Sequence, residues 1–316
     1  RLRAAQQENF LAVYHFETSS IKQLGSKEIP QVLQTNEGDG DSFVGVTDFG
    51  KRIESQWRGN TLKDIYAINV NTGEKELVKE NLFGQVYPSS TGKYIMWYDR
   101  KARDYFVWNG YNALNISYKI KVPLWNEEFD TPDEPNNYGV MRWMENDEAV
   151  FIYDKYDIWK ISMIPTANPI ILTEGRKNKN QFRFVQVDNE ERFIKANRPF
   201  TVKIFDEKDK SSGLGNWKPD NENGVVEVNF KEKVLIGAIL KAKDDSIMIL
   251  TKETFQNSGD LYINITPVFG QHSERLRYYD SKMSNKLSSI NPQQSNYLWG
   301  TTELVNWKAY NGKDAT

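Results

Sequence analysis

A polar turn followed by an apolar run recurs along this chain, and it constrains the fold more than any other feature. It recurs as STGKYIMWYD (90–99), ENDEAVFIYD (145–154), NEERFIKANR (189–198) and KDDSIMILTK (243–252). A second phrase opens on Asp or Asn, alternates aromatic and aliphatic residues, turns, and runs again. Its copies are NFLAVYHFETSSIKQL (9–24), DIYAINVNTGEKELV (64–78), DYFVWNGYNALNIS (104–117), DIWKISMIPTANPIIL (157–172) and DLYINITPVFGQHSERL (260–276). Two antiparallel hairpins in each unit of roughly 40–50 residues is the pattern of a β-propeller blade. The expected fold is therefore all-β, a β-propeller segment of four-stranded antiparallel blades, about five full blades plus a half.

The expected single domain, 1–316, divides at the phrase boundaries. Residues 1–41 form a half-blade, with ETSS (17–20) as its turn and no first hairpin before it. Blades follow at 42–80, 84–122, 138–174, 181–230 and 233–280, and closing strands occupy 291–316. In the second phrase at 64–78, Ile65, Tyr66, Ala67, Ile68, Asn69 and Val70 mix alternation with apolar residues on both faces, as expected where sheets stack face to face. Its turn, Asn71-Thr72-Gly73, places Gly where positive φ is needed. Two connections stand out. KVPLWNEEFDTPDEPNNYG (121–139) combines three prolines with an acidic run, and Trp125 and Phe129 are expected to pin it to a sheet edge. Residues 208–224 read as a polar, Gly-rich loop anchored by Trp217, with Gly213 and Gly215 as loop glycines. The strands at 298–307 are expected to pair with the half-blade at 9–33, because an open propeller exposes sheet edges.

Composition narrows the function. Lysine plus arginine number 41 against 43 acidic residues, so no basic excess exists to neutralise phosphates and nucleic acid is not an expected partner. The absence of cysteine excludes disulfides and thiolate metal sites. No apolar stretch reaches the ~18 residues of a membrane span. Aromatics, at 13%, suit stacked sheets in which rings fill the space between blades.

Catalytic signatures are absent. There is no G-x-S-x-G nucleophile elbow, no G-x-x-x-x-G-K-[ST] and no G-x-G-x-x-G leading into a helix. Of the two histidines, His15 lies in an alternating strand and His272 in a polar turn, which does not assemble a triad. Glu127, Glu128, Asp130, Asp133 and Glu134 could hold a hard cation through carboxylate oxygens, but they lack the spaced ligand ladder of a calcium loop. Asp39-Gly40-Asp41 reads as a turn. The acceptor patterns Asn115-Ile116-Ser117 and Asn264-Ile265-Thr266 fall in expected strands and carry no weight. In SQWRGN (55–60), Trp57 and Arg58 precede a hairpin, where either could face a tunnel or a partner domain; an Arg packed on Trp at a blade edge is the simpler reading. No catalytic residue, cofactor or metal ligand is assigned. The candidates for substrate gating or partner binding are Trp57, Arg58, Glu127 and Glu128.

Several segments together resemble the propeller region of bacterial serine peptidases of the prolyl oligopeptidase and dipeptidyl peptidase IV class. They are RAAQQENFLAVY (3–14), QLGSKEIP (23–30), SQWRGN, the acidic loop 121–139, YDKYDIWKIS (153–162), GRKNKNQFRFVQVDNEERFI (175–194) and NPQQSNYLWGTTELVNW (291–307). The resemblance implies a propeller seated over a C-terminal α/β-hydrolase domain of the same parent protein, restricting access of short peptides to a Ser-Asp-His site outside this chain. It implies a periplasmic or cell-envelope location, and a segment that is inactive alone. The matching stretch ends at ELVNWKAYNGKDAT (303–316), where such proteins cross into the hydrolase. The acidic pair that anchors a substrate amino terminus in dipeptidyl peptidases has no match, since neither Glu127-Glu128 nor Glu190-Glu191 sits in its context. Two other readings stay open: a stand-alone propeller binding a peptide, glycan or protein, and a propeller glycosidase, which needs two inward carboxylates roughly 5–10 Å apart.

Overall fold

The structure, a computed structural model, describes residue 3 and residues 6–218, 225–243, 247–265 and 285–315. It divides into two compact units. The first comprises Arg1–Ile171 together with Arg192–Ala196, and the second Leu172–Glu191 with Asn197–Thr316.

In the first unit a hairpin of β1 (Ala12–His15) and β2 (Ser20–Gln23) precedes three four-stranded antiparallel sheets. These contain β3–β6 (Gln31–Leu33, Ser42–Thr47, Lys63–Asn69, Lys75–Leu82), β7–β10 (Gly84–Pro88, Ile95–Asp99, Asp104–Trp108, Ala113–Asn115) and β11–β14 (Val140–Trp143, Ala149–Tyr153, Ile158–Ser162, Ile170–Ile171). In the second unit, β15–β18 (Asn180–Phe184, Phe200–Asp206, Ser212–Trp217, Glu227–Glu232) and β19–β22 (Leu235–Lys241, Ile247–Glu253, Asp260–Ile265, Asn285–Lys286) form two more. A short hairpin of β23 (Trp307–Lys308) and β24 (Asp314–Ala315) follows. In each four-stranded sheet, sequence neighbours are spatial neighbours, the up-and-down order of a propeller blade. The fold is all-β and propeller-like.

Alternation along β8 shows how the sheets stack. Ile95 and Trp97 point to one face and join Val44, Val46, Ile65 and Ala67 of the preceding sheet. Met96 and Tyr98 point to the other face and join Val150, Ile152 and Ile161 of the following sheet. A period-2 strand presents successive residues to opposite faces, so an unbroken apolar run is required when both faces are covered. Trp97 stacks on Phe106 (5.8 Å between ring centroids) and Tyr98 lies against Tyr105 (5.1 Å), filling the two seams.

The acidic residues of the repeated phrases hold turns. At the end of the second strand, Asp99 accepts the N–H groups of Lys101 and Ala102, Asp154 those of Tyr156 and Asp157, and Asp206 that of Lys208. At the start of the third strand, Asp104 accepts from Ser117 and Asn115, and Asp260 from Ser288 and the Ile290 N–H, tying the third strand to the chain at the fourth. Short carboxylates accept backbone N–H groups readily in such turns. Hydrogen bonding to Lys286 and the Ile290 N–H holds Asp260 at about 2, below its usual 3.8.

Three sequence expectations need correction. Gln31–Leu33, assigned to the opening half-blade, pairs with β4 as the first strand of the next sheet. The Gly-rich stretch at 208–224 contains β17 rather than a loop: a Cβ on Gly213 would meet Phe230 O at 2.2 Å, so glycine permits the close approach of β18. Trp217 there stacks on Phe200 at 4.8 Å. Of the expected strands at 298–307, only Trp307 lies in a strand, and it pairs with Ala315. A run without a neighbouring ladder does not become a strand, however apolar it is.

Candidate functional site

The residues singled out in the sequence occupy two separate places in the first unit. Ser55–Arg58 forms a single helical turn between β4 and β5, ended by Gly59 at φ +71°. Arg58 pairs with Glu54 at 3.3 Å across that turn, and Trp57 is 69% exposed. His15 is half-buried, its Nε2 3.3 Å from Val70 O, an ordinary strand contact. Asn115 donates to Asp104 and accepts the Ser117 and Tyr118 N–H groups, leaving its amide committed to the turn. His272 and Thr266 lie outside the described residues.

Glu127 and Glu128 lie in the acidic loop, which is clipped down at both ends. Arg103 pairs with Glu134 at 3.2 Å and lies over the Trp125 ring, while Arg100 donates to Glu134 O and sits 3.8 Å from Asp133. At the other end Lys155 pairs with Glu128 at 2.7 Å. Glu127 donates its N–H to the Tyr138 hydroxyl. Under the loop, Asn137 donates to the hydroxyls of Tyr87 (3.0 Å) and Tyr105 (2.5 Å). Burial pushes both tyrosines above their ordinary pKa, keeping them neutral. Leu124 and Trp125 pack into the seam between the second and third sheets; Phe129 is only half-buried, so the apolar anchor is Leu124 rather than Phe129. Arg100, Arg103 and Lys155 come from the second-to-third-strand turns of successive sheets, so these carboxylates serve to hold the loop. No cluster of metal-ligating side chains occurs among the described residues.

A cavity of about 810 Å³ opens at the other set of turns, those joining first to second strands. It is lined by Val32, Leu33, Pro88 and Phe193, by residues 34–37 and 89–91, and by Asn146 and Arg192. These turns are sewn into a circuit. The Asn36 N–H donates to Ser90 O at 2.9 Å, joining the first sheet to the second. Thr91 donates its N–H (3.1 Å) and hydroxyl (2.5 Å) to the Asp147 carboxylate, joining the second to the third; Asp147 is 1% exposed. The Glu145 N–H donates to Ile194 O and the Ile194 N–H to Trp143 O, binding the strap 192–196 to the third sheet. Arg192 on the strap then pairs with Glu37 of the first turn, closing the circuit. Both members of this last pair are more than half exposed, at 56% and 53% of their side chains.

Local geometry makes the circuit possible. Asn36, Glu37, Asn146 and Asp147 all take positive φ, from 46° to 59°, as tight hairpin turns require. Gly92 sits at φ +83°, where a Cβ would meet Thr35 Oγ1 at 2.6 Å and Ser42 O at 2.7 Å. Glycine is thus demanded both by the turn and by the close approach of two sheets. Nothing in the sequence singled out Glu37 or Arg192 as a pair. The available signal was the repeated turn position, occupied by Asn36-Glu37 and again by Asn146-Asp147.

No family model and no curated protein matches the sequence. Among solved structures the chain is similar to Porphyromonas gingivalis dipeptidyl peptidase 4, with TM-score 0.54 and 9% identity over 98% of this chain and 47% of that one. Pyrococcus horikoshii acylaminoacyl peptidase matches with TM-score 0.40 and 15% identity, over 82% of this chain and 41% of that one. The β-propeller domain of the Trilobed protease from Pyrococcus furiosus matches with TM-score 0.36 and 13% identity, over 80% and 72%. At these identities the likeness is one of fold. The chain spans less than half the length of the first two structures.

Proposed function

We propose that this chain is the non-catalytic, access-controlling propeller segment of a serine peptidase of the dipeptidyl peptidase IV and prolyl oligopeptidase type. The observation that supports the reading is the match of 98% of this chain to 47% of Porphyromonas gingivalis dipeptidyl peptidase 4. In this reading the parent protein, exported to the periplasm or cell envelope, carries an α/β-hydrolase domain that cleaves short peptides by acyl transfer. The propeller acts by size exclusion, admitting short or loose chains and refusing folded ones. Trp57, exposed on its helical turn, Arg58 beside it, and Glu127 and Glu128 of the acidic loop are the gating candidates. This chain, which has no G-x-S-x-G sequence, does not hydrolyse peptides by itself.

A fluorophosphonate that labels activated serines tests the reading. The longest product of the native gene is expected to be labelled and this chain is not. Labelling of neither would reject the peptidase and favour a stand-alone binding propeller, a reading to which the open cavity of the first unit also lends support.

A further inference from the structure

We propose that the cavity of the first unit binds a neutral oligosaccharide, through side-chain amides and hydroxyls and an Arg192–Glu37 pair that stays joined. The volume, about 810 Å³, lies within the ~300–1,000 Å³ range of small-ligand sites. The only formal charges lining it are Glu37 and Arg192, and each neutralises the other, so the lining has no net charge to draw an ionic ligand. Backbone groups at its turns are already engaged: the Asn36 N–H donates to Ser90 O, the Ser89 N–H to Tyr94 O and the Thr91 N–H to Asp147. What remains for a ligand is the Gln34 amide, the Ser90 hydroxyl and the Asn146 amide, none of them hydrogen-bonded among the described residues. Each of these groups both donates and accepts, as a sugar hydroxyl does. A guanidinium carries more donors, and a carboxylate more acceptor sites, than one contact uses, so the exposed pair can bond neighbouring hydroxyls without separating. Phe193 and Pro88 supply apolar surface for the C–H face of a sugar ring.

The site does not rest on the peptidase reading: serine labelling tests one and sugar binding the other, so each can fail alone. Isothermal titration of the chain with maltotriose, cellotriose, mannotriose and chitotriose tests the proposal. At least one of these sugars is expected to bind saturably, with an affinity that added sodium chloride leaves unchanged. Gln34→Ala and Ser90→Ala, whose side chains take no part in the circuit, should each weaken binding by about threefold to tenfold, and Arg192→Gln by about tenfold or more. Circular dichroism checks that each variant is folded. If Arg192→Gln loosens the strap, Gln34→Ala and Ser90→Ala decide, because neither residue lies on it. Exposed Trp57, at the other set of turns, is the rival surface on which a sugar ring could stack. Binding that survives Gln34→Ala and Ser90→Ala undiminished, or is lost in Trp57→Ala instead, overturns the proposal, as does saturable binding of none of these sugars.

Discussion

Two sheets written in nearly the same words are buried very differently. In the first unit, β8 opens Ile95-Met96-Trp97-Tyr98 and every one of these side chains is buried. In the second, β20 opens Ile247-Met248-Ile249-Leu250, yet Met248 and Leu250 are buried while Ile249 is 36% exposed. The face of that last sheet carrying Ile249 also exposes Leu235, Leu240 and Leu261. An apolar run makes a strand able to be covered on both faces; whether it is covered depends on what stacks against it. The comparison separates what a strand's own sequence determines from what its neighbours supply.

The largest expected effect tests that contrast directly. Trp97→Ala removes a ring from a filled seam and should cost about 3–5 kcal/mol in chemical denaturation, whereas Ile249→Ala on the open face should cost well under about 1 kcal/mol. Similar losses at both positions would mean that Ile249 is covered in solution. A smaller effect, about 1–3 kcal/mol, is expected for Asp147→Ala, which strands the Thr91 N–H and hydroxyl at the seam between the second and third sheets. The matching position in the exposed part of the circuit, Glu37→Gln, should leave the unfolding midpoint almost unchanged.

The smallest effect is one of pH and belongs to the last sheet. Asp260 is held at about 2 against a usual 3.8, so its contribution is complete above about pH 4 and is lost as pH falls through 2. Asp260→Asn should therefore unfold more easily than the parent at pH 7, and the gap in urea midpoint should close between pH 4 and pH 2. A gap that persists at pH 2 would show that the carboxylate charge is not what ties β21 to the chain beyond β22.

The sheets were legible in the sequence because each phrase pairs with its immediate neighbour, so strand identity, turn and partner lie within a short stretch. Gln31–Leu33 was misplaced because a three-residue strand carries almost no period of its own. β17 was hidden by Gly213 and Gly215, which lower β-propensity at the very positions where β18 crowds in. The cavity was not legible at all. Its lining comes from residues near 35, 90, 146 and 192, brought together by sheet stacking and by the docking of the strap, and each of the three turns read alone is an ordinary polar hairpin end. The acidic loop misled in the opposite sense: its carboxylates attracted attention as possible ligands, while the basic partners Arg100, Arg103 and Lys155 sat in turns that sequence does not connect to it.

The strap at 192–196 also sets an order of events. The first unit is not a continuous length of polypeptide, since β15 must be synthesised before Ile194 can reach the backbone of Trp143 and Glu145. When synthesis has reached only residue 171, three sheets are made with one side of their cavity still unbuilt. Until the strap arrives, those backbone groups are met by water, and the nascent first unit carries an unfilled edge that the later chain alone can complete.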